Sequence, residues 1–396
     1  MNYKMRLWLV VVGMVAASGC RTVSPVPARG SYLIGYTDLQ CDDPRGQFYN
    51  WRTSRAMIVR ADGTGRREIG AALITRAHSW TQFAGWWSDG RRAIINCAWE
   101  SEDNFLWERQ HQTFRHTEGW LLDGCLVDTV TGASRNLTGV ARVSDYNAGL
   151  APWPGDPKRA TFGPVINGVQ HPFVMDNDGR NKRDLASGKE GFTYACSVSP
   201  DGQRITYNKD YLVYVADQDG SNPRRVDEDS SHPFQFIPTW SPDGKWILFL
   251  AGEHYRCHPH LVRADGTGLR KLADRGNYKG TMEPLTVPDF HSSSSDIPTW
   301  SPDSRWVYYT AQVGEAVELM RVAIAGEVEQ LTHSRPGVAH YHPKVSPDGR
   351  WIVFGSTREG AGAQYVANAD GSDIRPITKP TPGRVQMHAH WQPLKR

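Results

Sequence analysis

Short apolar runs punctuated by turns recur along the chain. Phe236-Ile237-Pro238-Thr239-Trp240 and Trp246-Ile247-Leu248-Phe249 flank Ser241-Pro242-Asp243-Gly244. Aromatic and β-branched runs of this kind suit strands. Ser-Pro-Asp-Gly suits a type I turn, with Pro fixing φ at the second position and Gly closing it. Nearly the same text returns at 297–306 and 342–354, and in part at 198–202. Weaker copies lie at 86–90 and 153–157, with a last fragment at 391–393. A second turn interleaves with the first. Residues 59–65 and 262–268 share the text Val-Arg-Ala-Asp-Gly-Thr-Gly, and Asp178-Gly179, Asp219-Gly220 and Asp370-Gly371 sit in similar settings. Thr131-Gly132 and Ala325-Gly326 are looser matches. Asp-Gly between apolar runs reads as a type I′ hairpin turn, which needs positive φ.

Seven first turns and seven second turns alternate, mostly at intervals of about 41 to 47 residues, the period of a four-stranded propeller blade. With strands labelled A (inner) to D (outer), the first turn joins A to B and the second joins C to D. The expected fold is all-β, a seven-bladed β-propeller; six blades is the alternative if 146–187, the weakest repeat, forms none. The first blade begins with Tyr32-Leu33-Ile34-Gly35-Tyr36 and lacks an A strand of its own. His388-Ala389-His390-Trp391 from the C-terminus is expected to supply it, closing the ring and removing exposed edges.

The pattern differs ahead of residues 31–396. Lys4 and Arg6 precede an apolar run from Leu7 to Ala17, followed by Ser18-Gly19-Cys20. The run is short for a bilayer span and reads as an export signal. It resembles a bacterial lipoprotein signal, which implies that residues 1–20 are a signal peptide with Cys20 lipidated. Residues 21–30, with Pro25, Pro27 and Gly30, read as a tether. No acid follows Cys20 directly. The expected address is that of an exported lipoprotein, on the periplasmic side of the outer membrane or at the cell surface.

Composition narrows the partners. A net charge of +3 over 396 residues, without a basic run, argues against nucleic acid. Membrane contact is expected through the lipid anchor alone, and the body is expected to be a monomer. Cys41, Cys97, Cys125, Cys196 and Cys257 remain after Cys20. Export permits disulfides, and Cys97 with Cys125, on consecutive strands of the second blade, is the expected pair. Cys257-His258-Pro259-His260 has a metal-like composition, but strand alternation puts Cys257 and His260 on opposite faces.

The Trp-Ser-Pro-Asp-Gly and Ala-Asp-Gly-Thr/Ser text resembles the TolB-like propeller repeat, well over about residues 190–393 and loosely over 31–187. The resemblance speaks to fold more than to function. A second resemblance is to oligogalacturonate lyases, which are seven-bladed and hold a divalent metal through histidines at the start of A strands. His340-Tyr341-His342-Pro343 resembles their His-x-His-Pro. The chain departs from that family at Ile237 and Ile297, where further histidines belong, at Gly337, where a Gln belongs, and near Leu212, where the arginine base would fall.

The B–C and D–A connections share one face of such a propeller, and the longest insertions lie there. Residues 37–54 carry Phe48, Tyr49 and Trp51; 98–119 carry Trp99, Phe105, Trp107, His111, Phe114 and His116; 275–295 carry Tyr278, Phe290 and His291. Long loops on a rigid scaffold usually carry function. Trp51, Trp99, Trp107 and Tyr278, with His254 and Arg256, are the candidate ligand-binding residues, the aromatics suited to stacking on a sugar ring or peptide. His342 and His388 occupy the same repeat position on adjacent inner strands. With His340 and Gln386 they form a candidate site for Zn²⁺ or Mn²⁺.

Two functions fit these features. The first is a non-enzymatic binding or scaffold protein for a glycan or protein partner. The second is a polysaccharide lyase in which the histidines hold the metal and Arg256 abstracts a proton α to a uronate carboxylate. No Gly-x-Ser-x-Gly nucleophile elbow is present.

Overall fold

In a computed structural model the described residues are 31–41, 49–111, 115, 118–140, 143–144, 146–166, 169–186, 193–228, 231–232, 234–253, 256–278 and 296–394. They form a seven-bladed β-propeller, as the repeats predict. The weak repeat is a true blade, with strands Tyr146–Pro152, Arg159–Ile166, Phe173–Asp176 and Arg183–Asp184. A parallel bridge between Leu122 and Tyr146 fuses it to the blade before it, so blades 2 and 3 share one nine-stranded sheet.

The turn text works through one hydroxyl. Ser241 Oγ donates to Asp243 Oδ1 at 2.6 Å and accepts the amide of Trp246 at 3.0 Å, while Gly244 N donates to the Ser241 carbonyl at 2.9 Å. Ser301 and Ser346 repeat this arrangement. Most of the turn's donors thus meet local acceptors, and the Asp243 amide reaches Ser304 Oγ of the next blade at 2.9 Å. The Asp-Gly turn departs from the type I′ expectation. Only the glycine has positive φ, 85° at Gly63 and 83° at Gly266. Gly63 N donates to the Arg60 carbonyl at 2.8 Å and Arg60 N to the Thr64 carbonyl at 2.9 Å. That is a type I turn ending in a left-handed glycine. The aspartate favours it by accepting both the amide and the hydroxyl of Thr64.

The inner strands share an irregularity that shapes the channel. Their pairing breaks between Phe236 and Thr239, between Tyr341 and Lys344, and between Ala148 and Ala151. Ile237, His342 and His388 take φ of 52°, 51° and 55° there. A branched residue resists this conformation. The surroundings offset the cost, because Asn208 Oδ1 accepts the amide of Ile237 at 2.8 Å and Asp296 Oδ1 that of His342 at 3.0 Å.

The ring closes as expected. Arg384–Trp391 pairs antiparallel with Leu33–Cys41, from Ile34 opposite Trp391 to Gln40 opposite Arg384. Trp391 packs edge-on to Tyr32 with centroids 5.7 Å apart, and its indole N–H donates to the Lys344 carbonyl at 2.9 Å. At the polar end of the seam, the buried Asp38 accepts from Arg384 and from Arg66. The seams differ in kind. Short parallel bridges link Val317 to Ala339 and Gly362 to Val385. Between blades 1 and 2 the described residues meet through side chains instead: Thr37 Oγ1 accepts the amide of Phe83, and Thr81 Oγ1 that of Ala56.

Trp391 therefore carries both packing and a hydrogen bond at the one seam that joins the chain ends. Trp391→Ala is expected to destabilise the whole ring by about 3–5 kcal/mol, read as a single shifted urea transition. A separate early transition for blade 1, with the rest unmoved, would contradict a cooperatively closed ring.

Candidate functional site

The left-handed turn brings His342 and His388 together. Their rings stack with centroids 4.5 Å apart and planes inclined by 27°. His342 is buried, and neither ring nitrogen has a hydrogen-bond partner among the described residues. Burial pushes its pKa down to about 4, against the pull of Asp296. Burial and the neighbouring His342 hold His388 well below the ordinary histidine value, and burial takes His390 to about 3. Lys344 is also lowered by burial, an effect Asp296 opposes. The channel wall thus carries three imidazoles that are neutral at pH 7, beside a lysine.

The other two expected ligands point elsewhere. His340 Nε2 lies 2.9 Å from Ser334 Oγ and 3.6 Å from Glu318 Oε2, and its ring packs on Phe354. Alternation would place His340 beside His342, but the turn at His342 breaks the alternation. Gln386 lies in the closing seam, where its amide oxygen accepts from Thr378 and its carbonyl from Tyr341 at 2.8 Å. Among the described residues no group of three or more His, Cys, Asp or Glu is placed to hold a metal. Two imidazoles fall short of the three or four protein ligands that zinc sites use, so the set His340, His342, His388 and Gln386 does not fit as a unit.

Tyr278 is a core residue rather than a surface aromatic. It is 1% exposed and donates its hydroxyl to Asp296 Oδ2 at 2.6 Å. Arg275, also fully buried, stacks over the Tyr278 ring at 4.0 Å and donates to both oxygens of Thr310. Burial alone would raise the Asp296 pKa, but His342, Arg275 and the hydroxyls of Thr310 and Tyr278 hold it below the usual carboxylate range. This network anchors the connection between blades 5 and 6 and, through the amide of His342, the channel wall.

The remaining aromatics are spread out. Trp51 is buried in a cluster with Tyr49, Trp80 and Trp120. Trp99 is half-buried under the Arg76 guanidinium at 4.2 Å. Trp107 lies on a helix, α1 (Glu102–His111), and stacks on His111 at 4.1 Å. Arg256 is exposed at the start of its strand. Cys20, Phe48, Phe114, His116, His254, Phe290 and His291 lie outside the described residues. The Cys97–Cys125 pairing is not formed, and both thiols are free. Cys125 is opposite Ile95 and Cys97 opposite Asp123, so the two are diagonal neighbours about 7–8 Å apart, wider than a disulfide spans.

Glu100 and Glu108 form a buried carboxyl pair beneath α1. The Asn104 side-chain amide donates to both, at 2.9 and 3.0 Å. Burial, with the neighbouring Glu108, pushes the Glu100 pKa up to about 7.

A cavity of about 630 Å³ opens on the same face. Three connections line it: Arg335, Pro336, Gly337 and Val338 from blade 6 to 7, Gly360 and Gly362 within blade 7, and Gly383 with Arg384 from blade 7 to 1. Sequence reasoning passed over this region because it has no aromatic insertion. Its signal was the density of glycine, which leaves backbone bare to a ligand.

No family model matches the chain. It is 28% identical over 170 residues to "Uncharacterized protein Atu1656" of Agrobacterium fabrum, covering 36% of this chain and 57% of that protein. The chain spans less than two thirds of the length of the curated relatives it matches. Solved structures of similar fold include a puromycin-hydrolyzing peptidase of Mycobacterium tuberculosis, at TM-score 0.56 and 12% identity over 90% of this chain and 53% of that one. An oligogalacturonate lyase of Vibrio parahaemolyticus matches at TM-score 0.52 and 13% identity over 89% and 87%. TolB from Acinetobacter baumannii matches at TM-score 0.45 and 14% identity over 80% and 84%. At these identities the likeness is one of fold.

The carboxyl pair gives a pH signature. A carboxyl whose pKa is raised on folding binds its proton more tightly in the native state. Stability is therefore greatest below the ordinary glutamate value and falls as pH rises towards about 7. Glu100→Gln is expected to raise stability by about 1–3 kcal/mol at pH 8 and to change little at pH 4, as measured by urea unfolding at both values. An equal effect at the two pH values would show that folding leaves the pKa of this carboxyl unshifted.

Proposed function

We propose that this chain is an exported, lipid-anchored propeller that binds a glycan or protein partner without transforming it. The observation that carries the reading is the cavity of about 630 Å³ built from three successive connections on one face. Such a cavity falls in the size range of small-ligand sites. Its rim holds the exposed Arg335, and its floor holds the clasped Arg384, so it suits a ligand with polar or acidic groups. Anchoring through Cys20 would hold the body at a membrane while leaving this face free.

The lyase reading draws less support. Its metal would rest on His342 and His388 alone, since His340 and Gln386 are engaged elsewhere. Arg256 belongs to blade 5, whose strands pair it with Glu253, and not to blade 7 or blade 1, which carry the two imidazoles.

An immobilised wild-type domain is expected to retain a ligand from a glycan array or an envelope extract. Arg335→Glu should weaken that binding at least tenfold, on the order expected for reversing one interface charge. Equal retention by both proteins would remove the cavity from the binding site. Cys20→Ser is expected to move the protein from the membrane fraction to the soluble fraction. Continued sedimentation with membranes would overturn the lipid anchor.

A further inference from the structure

A second depression, of about 390 Å³, adjoins the first and shares Arg384 with it. It is lined by Asp38, Arg66, Lys379, Thr381, Arg384 and Gln386. We propose that this depression binds a dianionic tetrahedral oxyanion, that is, the phosphate group of a monoester. The inference adds a ligand chemistry to the binding role and does not depend on the larger cavity.

Charge comes first. Three cations face one carboxylate in the lining, which leaves two positive charges. The carboxylate is already occupied. Asp38 Oδ1 accepts Arg384 Nε at 2.8 Å and Nη2 at 2.7 Å, and Oδ2 accepts Arg66 Nη2 at 2.5 Å. Arg66 Nε donates to Tyr36 Oη at 2.7 Å. Asp38 therefore fixes the two guanidinium groups, with both of its oxygens engaged.

Unspent donors come second. With those bonds made, Nη1 of Arg66 and Nη1 of Arg384 have no partner among the described residues, and neither has Lys379 Nζ. Gln386 is 3% exposed, and its amide oxygen is taken by Thr378. Its Nε2 then has no acceptor among the described residues, although the side chain lines the depression. Nε2 is open to the depression and so remains available to donate to a ligand there. The lining thus presents two guanidinium edges, one ammonium and one amide, and its sole carboxylate is spent. A planar monoanionic carboxylate would leave one positive charge unmet and has only two oxygens for four donors. A phosphate monoester supplies about two negative charges near pH 7 and three free acceptor oxygens.

The source of the phosphate separates into two arms. The purified full-length chain is titrated calorimetrically with inorganic phosphate, methyl phosphate and acetate at low salt. Separately, the Cys20→Ser form, which has no lipid anchor, is sedimented with phosphatidylcholine vesicles with and without phosphatidic acid. Phosphate and methyl phosphate are expected to bind with Kd of about 1 mM or tighter, more tightly at pH 8 than at pH 5.5 as the second proton leaves. Acetate is expected to bind at least tenfold more weakly. Lys379 is exposed, so Lys379→Met should fold normally and lose roughly tenfold in phosphate affinity. Gln386→Glu, which places a carboxylate in the floor, should abolish binding. Sedimentation that needs phosphatidic acid and is lost in Lys379→Met would assign the group to a lipid; binding of methyl phosphate alone would assign it to a soluble ester. The proposal is overturned if neither arm shows saturable binding, if acetate equals phosphate, or if Lys379→Met binds as the wild type does. None of these outcomes bears on retention of a partner through Arg335.

Discussion

The pairing of Arg384–Trp391 with Leu33–Cys41 is the constraint on which the rest depends. A propeller blade alone has one apolar face too many, and each blade hides it against the next. That arrangement stabilises nothing until the last blade meets the first. Here the meeting combines two kinds of force. Tyr32, Trp351 and Trp391 pack against one another at one end of the seam. At the other, Asp38 holds one guanidinium from each side. A buried carboxylate with two arginines is fully satisfied, so it adds direction to an interface whose apolar part is indifferent to register.

The blades were legible because the turns between them are chemically demanding. Ser-Pro-Asp appears where a hydroxyl must serve an aspartate and an amide at once, and that need leaves the same text at Ser199, Ser241, Ser301 and Ser346. Where the need was met otherwise, as in Trp-Pro-Gly-Asp-Pro at 153–157, the text faded although the blade remained. The type of the Asp-Gly turn was less legible. Aspartate there accepts hydrogen bonds in an ordinary conformation, and glycine alone supplies the positive φ.

The site was half legible, for a reason that lies in the backbone. Shared repeat position placed His342 beside His388, since equivalent residues of neighbouring blades face the same channel. Alternation then failed for His340 because one residue turns left-handed before Pro343. A branched residue, Ile237, does the same in blade 5, so side-chain type gave no warning. The aromatic insertions misled in another way. Tyr278 lies in a long connection, yet it is an anchor for that connection rather than a surface for a ligand. Glycine-rich connections, with little side chain to attract notice, frame the larger cavity.

The fused sheet of blades 2 and 3 sets how the ring can deform. Their seam carries main-chain hydrogen bonds, as do those between blades 4 and 5 and between blades 5 and 6. Among the described residues, the seams on either side of the fused pair are held by side chains. Threonine hydroxyls and packed rings join blade 1 to blade 2, and the Trp153 indole reaching the Gly202 carbonyl joins blade 3 to blade 4. Side-chain contacts yield before a backbone ladder does. Blades 2 and 3 thus form one stiff leaf between two softer hinges. Any widening of the bore would proceed by that leaf tilting as a unit, and α1 would swing with it, away from the inner strand of blade 1 that carries His388.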